Sequence, residues 1–347
     1  MERTVTGARL SRRGAKVVGA ATTAIVVLAG CGTSRSPSTL DPKGSEARDI
    51  AGVWWLMFGI AVAVYLVVAG LIVYAIRRRR AADPPDVTAD EPALRRFDDR
   101  MITWGGVVVP LIILLVLAVV TVRTTNALRK PEPNALRIDV VGKRWWWAVT
   151  YPSIHFATAN DIHLPAGRPI EIHLTSDNVI HSFWVPQLAG KLDTIPGQDN
   201  VLRFRAQAPG TYAGECAEFC GIQHAHMGFT VIVQKAGDFD RWLAQHEKPA
   251  LEPASELAAE GQVAFNTQPC AGCHTIAGTE AQGILGPDLT DIGERPTLGA
   301  GAAVNDPKHL ARWIADAPSL KPGVLMPQIT MSAADTRAIV AYLQSLE

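Results

Sequence analysis

Cysteine is scarce in this chain of 347 residues, with five in all: Cys31, Cys216, Cys220, Cys270 and Cys273. Their grouping as one, two and two, with histidines beside both close pairs, argues against a disulfide framework and for ligand and attachment positions. Net charge is lacking as well. The 33 lysines and arginines balance 33 aspartates and glutamates, which leaves no basic excess to point to nucleic acid as a partner. Internal repeats and low-complexity tracts are also missing, so function has to be read locally, in a chain long enough for two or three domains.

What the chain has in excess is apolar runs. The first, 17–29, follows Arg9, Arg12, Arg13 and Lys16; too short to span a bilayer comfortably, it has the layout of a secretion signal over residues 1–30. It closes on Leu28-Ala29-Gly30-Cys31, which resembles the lipobox of bacterial lipoproteins and so implies lipidation of Cys31 as the mature N-terminus. A plain signal cut elsewhere, or an uncleaved anchor, fits the same residues. Two uncharged stretches, 51–76 and 101–122, are each long enough to cross the hydrocarbon core, which predicts a transmembrane hairpin within 31–125. Between them lie Arg77, Arg78, Arg79, Arg80, Arg95, Arg96 and Arg100. Such a loop is expected in the cytoplasm, with both termini outside. Pro110, inside the second stretch, is expected to kink the helix.

From 126 to 245 the pattern changes to short segments rich in Val, Ile and Thr, such as 137–141, 170–175, 201–205 and 230–233. Turn signals at Pro165-Ala166-Gly167, Pro196-Gly197 and Pro209-Gly210 punctuate them, predicting a small antiparallel sandwich or barrel. A proline-containing link, 246–255, leads to a helix-rich tail, 256–347, with helical patterns at 255–266 and 333–346.

The segment Cys216-Ala-Glu-Phe-Cys220-Gly-Ile-Gln-His224-Ala-His-Met227 places two thiols, an imidazole and a thioether within twelve residues. Soft sulfur with imidazole selects copper or zinc. A structural zinc site would more often add a second compact cysteine pair and rarely a methionine, so copper fits better. His181 lies upstream in Asp177-Asn-Val-Ile-His181-Ser-Phe-Trp-Val-Pro186, at an apolar strand end where a lone histidine is ordinarily a packed core residue. These two stretches resemble the binuclear copper (CuA) motif of cytochrome c oxidase subunit II, over about residues 50–235. The resemblance implies a cupredoxin-like Greek-key barrel in which Cys216 and Cys220 bridge two copper ions. His181 and Met227 would complete one pair of terminal ligands, His224 and the Glu218 carbonyl the other. It also implies that the Glu218 side chain reaches a magnesium ion at the border with the catalytic subunit, and it gives no ligand role to His226.

Three tryptophans follow one another in Gly142-Lys-Arg-Trp145-Trp146-Trp147. They cannot all face one side of a strand, so at least one is expected to be exposed. The stretch resembles the aromatic entry patch of subunit II, which makes Trp145 the candidate for relaying electrons to copper; core and membrane-interface packing is the bland alternative.

Cys270-Ala-Gly-Cys273-His274 is a c-type haem attachment signature: two thiols to form thioethers and a histidine to ligate iron. A thioredoxin-like redox pair would follow a strand, and no strand pattern precedes Cys270. The tail resembles single-haem class I cytochromes c, all-α in fold, through Gly286-Pro287 and the late Leu325-Met326-Pro327. That resemblance makes Met326 the sixth ligand, with Met331 the runner-up. Over 246–347 six basic residues (Lys248, Arg295, Lys308, Arg312, Lys321, Arg337) meet twelve acidic ones, which favours a positively charged docking partner or simply keeps the domain soluble.

Taken together the chain resembles subunit II of a caa3-type cytochrome c oxidase, a multidomain protein with a cytochrome c fused to its copper domain. This implies association with subunit I and further oxidase subunits, and cytochrome c or a cytochrome bc complex as electron donor. It also implies residence in the bacterial cell membrane as a multi-pass protein, with the copper and haem domains on the outer face. Neither apolar stretch carries a histidine, so an intramembrane haem and copper centre must belong to a partner. The small subunit of a copper-containing nitric oxide reductase, or a freestanding membrane-tethered electron shuttle, would share most of these features.

Overall fold

The computed structural model describes residues 37–81, 96, 99–250 and 252–346. Cys31, the signal-like segment and most of the arginine-rich loop lie outside them.

Helix α1, Ser45–Ala81, covers the first predicted span and extends it at both ends. A π-helical stretch, Ile102–Val108, runs into α2, Val109–Leu128. Both helices are long and apolar enough to cross a membrane, and their large apolar side chains, Leu66 and Leu115 among them, are exposed, as lipid-facing ones would be. The expected kink at Pro110 takes the form of that wide turn. Proline has no N–H to donate and its ring crowds the carbonyl four residues back; the Val109 N–H bonds the Trp104 carbonyl, five back, and loosens the ladder there.

The root of α1 is fixed to the domain that follows. The N–H groups of Lys43 and Gly44 donate to the Gln187 carbonyl at 2.7 and 3.0 Å, and Glu46 accepts from the Arg205 N–H at 2.9 Å. Gly44 has to be glycine, since a Cβ there would lie 1.9 Å from the Leu188 oxygen.

Ten strands form two packed sheets. The first orders β3 (Phe156–Ala159), β2 (Trp146–Tyr151), β1 (Leu136–Lys143), β5 (Ile170–Ser176) and β8 (Asn200–Phe204). The second orders β4 (Asp161–Pro165), β10 (Gly228–Gln234), β9 (Gly210–Cys216), β6 (His181–Trp184) and β7 (Leu192–Thr194). Burial alternates along β1, β2, β5 and β10, so Ile138, Val140, Trp147, Val149, Ile172 and Leu174 meet Phe183, Phe229 and Val231 between the sheets. The sandwich is mixed rather than wholly antiparallel: β1 pairs with β5, and β4 with β10, in parallel. Turn residues announce hairpins, but a parallel pair is made by a long crossover that leaves no local signal.

Helix α3, Ala236–His246, closes this domain and buries Phe239, Trp242 and His246 on its edge; its Trp242 ring stacks on His163 at 4.1 Å. The link is therefore shorter than 246–255, because His246 belongs to the copper-side domain. Beyond it come α4 (Glu256–Thr267), α5 (Pro307–Leu320) and α6 (Ala333–Gln344). Ser255, Asp306 and Ser332 cap them through their side chains. Helix α5 was not anticipated, although Asp306-Pro307 is a start signal. Helices α4 and α6 cross at Gly261, where a Cβ would lie 2.0 Å from the Ala338 oxygen.

Candidate metal and haem sites

Strand pairing assembles the first site. Antiparallel β6 and β9 set Phe183 opposite Cys216, which places His181, two residues back on the same face, beside the thiol. The loop between β9 and β10 then returns Cys220, His224 and Met227 to that point. The two Sγ atoms lie 3.8 Å apart, far beyond the roughly 2.05 Å of a disulfide. Around them stand His181 Nδ1 at 3.9 Å from Cys216, Glu218 O at 3.2 Å from Cys216, His224 Nδ1 at 3.7 Å from Cys220 and Met227 Sδ at 3.8 Å from Cys220. All six ligand candidates read from the sequence thus converge. His226 instead turns its Nδ1 to the Gln223 side-chain oxygen at 2.7 Å. The Glu218 side chain is exposed.

The electrostatics suit a soft cation. Burial, then the neighbouring Cys216, pushes the Cys220 thiol up to about 12, and burial holds His181 near 4, in the neutral form that ligates metals. His181 Nε2 bonds Asn178 Oδ1 at 3.1 Å, which assigns the proton to that nitrogen and leaves the Nδ1 lone pair facing the sulfurs. Neutral thiols are ordinary buried groups, and a coordinated cation would deprotonate both and make them soft thiolate ligands. The donor set fits copper: two bridging-capable sulfurs, two imidazoles, a thioether and a carbonyl.

Two supports were not legible beforehand. Trp147, fully buried, sets its ring edge-on to His181, Phe183 and Phe229, and Gly142 leaves room for His181, whose Cδ2 would be 2.8 Å from a Cβ there.

The second site is an apolar cavity of about 380 Å³ lined by Cys270, Cys273, His274, Phe265, Ile314 and Met326, among others. His274 Nδ1 donates to the Pro287 carbonyl at 2.8 Å, leaving Nε2 free, and burial keeps its pKa below the usual histidine value. A Cβ on Gly286 would lie 2.5 Å from the His274 ring, so Gly286-Pro287 both clears space for the imidazole and orients it. Met326 lines the cavity; Met331 packs against the helical core instead. An apolar slot with a cysteine pair, an oriented histidine and a thioether fits a covalently held haem.

Trp145 belongs to both sites. Its indole N–H donates to the Cys220 carbonyl at 3.0 Å, and its ring lines the haem-side cavity together with Trp146 and Arg144. None of the three tryptophans is exposed, contrary to expectation: Trp147 is in the core, Trp146 is half-buried, and Trp145 is only 8% accessible because the helical domain covers it.

The model of the cytochrome C oxidase subunit II periplasmic domain matches residues 153–235, and the cytochrome c model matches residues 258–347. Cytochrome c oxidase subunit 2 of Alkalihalophilus pseudofirmus is 36% identical over 331 residues, 92% of this chain and 94% of that protein. Its counterpart from Bacillus sp. PS3 is 33% identical over 69% of this chain and 72% of that protein. Among solved structures, the periplasmic domain of subunit II of cytochrome oxidase from Bradyrhizobium japonicum is 29% identical, with a TM-score of 0.32, covering 34% of this chain and 96% of that one.

Proposed function

The chain belongs to the cytochrome c oxidase subunit II family, with a cytochrome c domain fused to its end, and we propose that it is the electron-entry subunit of a caa3-type oxidase. In this reading it takes electrons from cytochrome c or a cytochrome bc complex into its haem domain. They pass through its copper domain to a catalytic subunit I, which reduces O2 to water. The observation that carries the reading is the shared wall: Trp145 bonds the Cys220 carbonyl while lining the cavity that holds Cys270, Cys273 and His274.

When bound, a copper pair and a haem c each take up and release single electrons without binding a reactant. Cys216, Cys220, His181, His224, Met227 and the Glu218 carbonyl would together hold the copper pair. Cys270, Cys273, His274 and Met326 would hold the haem. The exposed Glu218 side chain is available for a magnesium ion shared with subunit I. The chain's own part is rigidity and exclusion: ligands rooted in paired strands over an aromatic floor move little between charge states, and burial keeps water from the sulfurs. The arginine-rich loop supports an orientation in which both helices cross the cell membrane and the two soluble domains lie outside, and Cys31 is the proposed lipid attachment.

The test is purification of the membrane complex through a tag on this chain. A co-purifying large subunit, and oxygen uptake driven by reduced cytochrome c that Cys216→Ser abolishes, are expected. Isolation of the chain alone, with no oxygen uptake, would overturn the assignment.

A further inference from the structure

Lys321 belongs to neither ligand set, although it lines the haem-side cavity, and it is only 2% accessible. Its Nζ lies 2.7 Å from the Trp145 carbonyl, 2.8 Å from the His226 carbonyl and 2.6 Å from the Gly299 carbonyl. An ammonium has three protons and accepts nothing, so all three donors are used. Trp145 and His226 belong to the sandwich and Gly299 to the helical domain. The two sandwich carbonyls sit beside the copper-site loop: the Trp145 indole bonds Cys220, and His226 precedes Met227. Gly299 adjoins the other cavity, since a Cβ on it would lie 2.3 Å from the Trp313 ring that lines it.

The residues next to Lys321 continue the seam. Gln223 Nε2 donates to the Pro322 carbonyl at 2.9 Å, and a Cβ on Gly323 would lie 2.6 Å from Ile222. A lateral tie joins Thr158 Oγ1 to Asp291 at 2.7 Å. A short tether alone would keep the domains near each other in many orientations. Burying an ammonium, however, is unfavourable unless every proton finds a partner, and Lys321 finds its partners only when the two domains sit in one orientation.

We propose that Lys321 is a positioning residue, whose buried ammonium seats the haem domain on the copper domain so that Trp145 is held between the two centres. This rests on the electron-transfer reading above. It concerns the pose of the domains and leaves the identity of the centres untouched.

The experiment uses the full chain, matured with haem and copper, with a protease site introduced into the link 247–255. Lys321→Met keeps the stem and removes the charge. After cleavage, the unmodified protein should retain its haem domain, whereas Lys321→Met should release it with affinity weakened by about a hundredfold. In the uncleaved chain, electron equilibration between haem and copper after rapid reduction of the haem should slow at least tenfold (about that, since the seated fraction falls), with both spectra unchanged. Retention and rate equal to the unmodified protein would overturn the proposal. If Lys321→Met fails to mature, Lys321→Arg, which keeps the charge but cannot direct three protons from one nitrogen to three carbonyls, is read the same way. Loss of one centre in both variants would also overturn it, by showing that the lysine serves a single domain's fold. Should the unmodified protein itself lack the copper or haem signature, the functional reading fails rather than this one.

Discussion

A pair of thiols 3.8 Å apart at the end of a strand, ringed by imidazole and thioether groups, is placed to share a soft cation as thiolates. Replacing either sulfur should therefore be selective. Cys216→Ser is expected to abolish copper binding, read by metal content, while the haem absorption band persists; loss of both together would mean that the two sites are not separately built. The sandwich also holds a half-buried histidine and a buried aspartate whose titrations oppose each other. Burial lowers His163 to about 4, so the unfolded chain binds the extra proton between about pH 4 and 6.5, and stability is lost as pH falls through that window, by about 3 kcal/mol. Burial raises Asp161 to about 6, so the folded chain binds more protons between about 3.8 and 6, and stability is lost as pH rises there. His163→Phe should accordingly gain on the unmodified protein as pH is lowered, and Asp161→Asn as it is raised, in thermal unfolding. Parallel curves would contradict both assignments. At this scale the sequence was informative wherever residue type is chemistry: Cys216, Cys220, His181, His224 and Met227 were legible, and the structure brings them together. Asn178 and Lys321 were not, because a side chain that orients a ligand or joins two backbones looks like any other polar residue until the chain is folded.

At the scale of elements, backbones meet where there is no side chain. The crossing of α4 and α6 leaves no space at Gly261, and Gly261→Ala should destabilise the haem domain by about 3 kcal/mol, the upper end of overpacking, read as a lower melting temperature of the haem band. An unchanged melting temperature would mean that the helices can part without cost. Long uncharged apolar runs made α1 and α2 visible, periodicity made α4 and α6 visible, and β-branched runs made several of the strands visible. Helices α3 and α5 were legible but passed over: their buried residues, Phe239, Trp242 and His246 in one and Leu310, Ile314 and Ala317 in the other, fall at helical spacing. The parallel partners of β1 and β4 escaped because register across a long crossover is decided by packing.

For the whole molecule, the arrangement has a membrane root, a sandwich fixed to it through Gly44 and Glu46, and a helical domain seated over Trp145. A reporter fused after Arg80 should read cytoplasm; a signal from the outer face would invert the topology. The seating could not be read from composition, since the facing surfaces become complementary only through carbonyls and glycines. In the proposed reading electron entry is moved with it: the helical domain covers Trp145, so an external donor is expected to meet that domain first. The measurement closest to the central claim is the combined optical and electron paramagnetic resonance spectrum of the full chain after maturation with haem and copper. The account predicts a low-spin c-type haem band together with a signal from one electron shared by two coppers. A single-copper or zinc-only site in the loop from Cys216 to Met227 would contradict it.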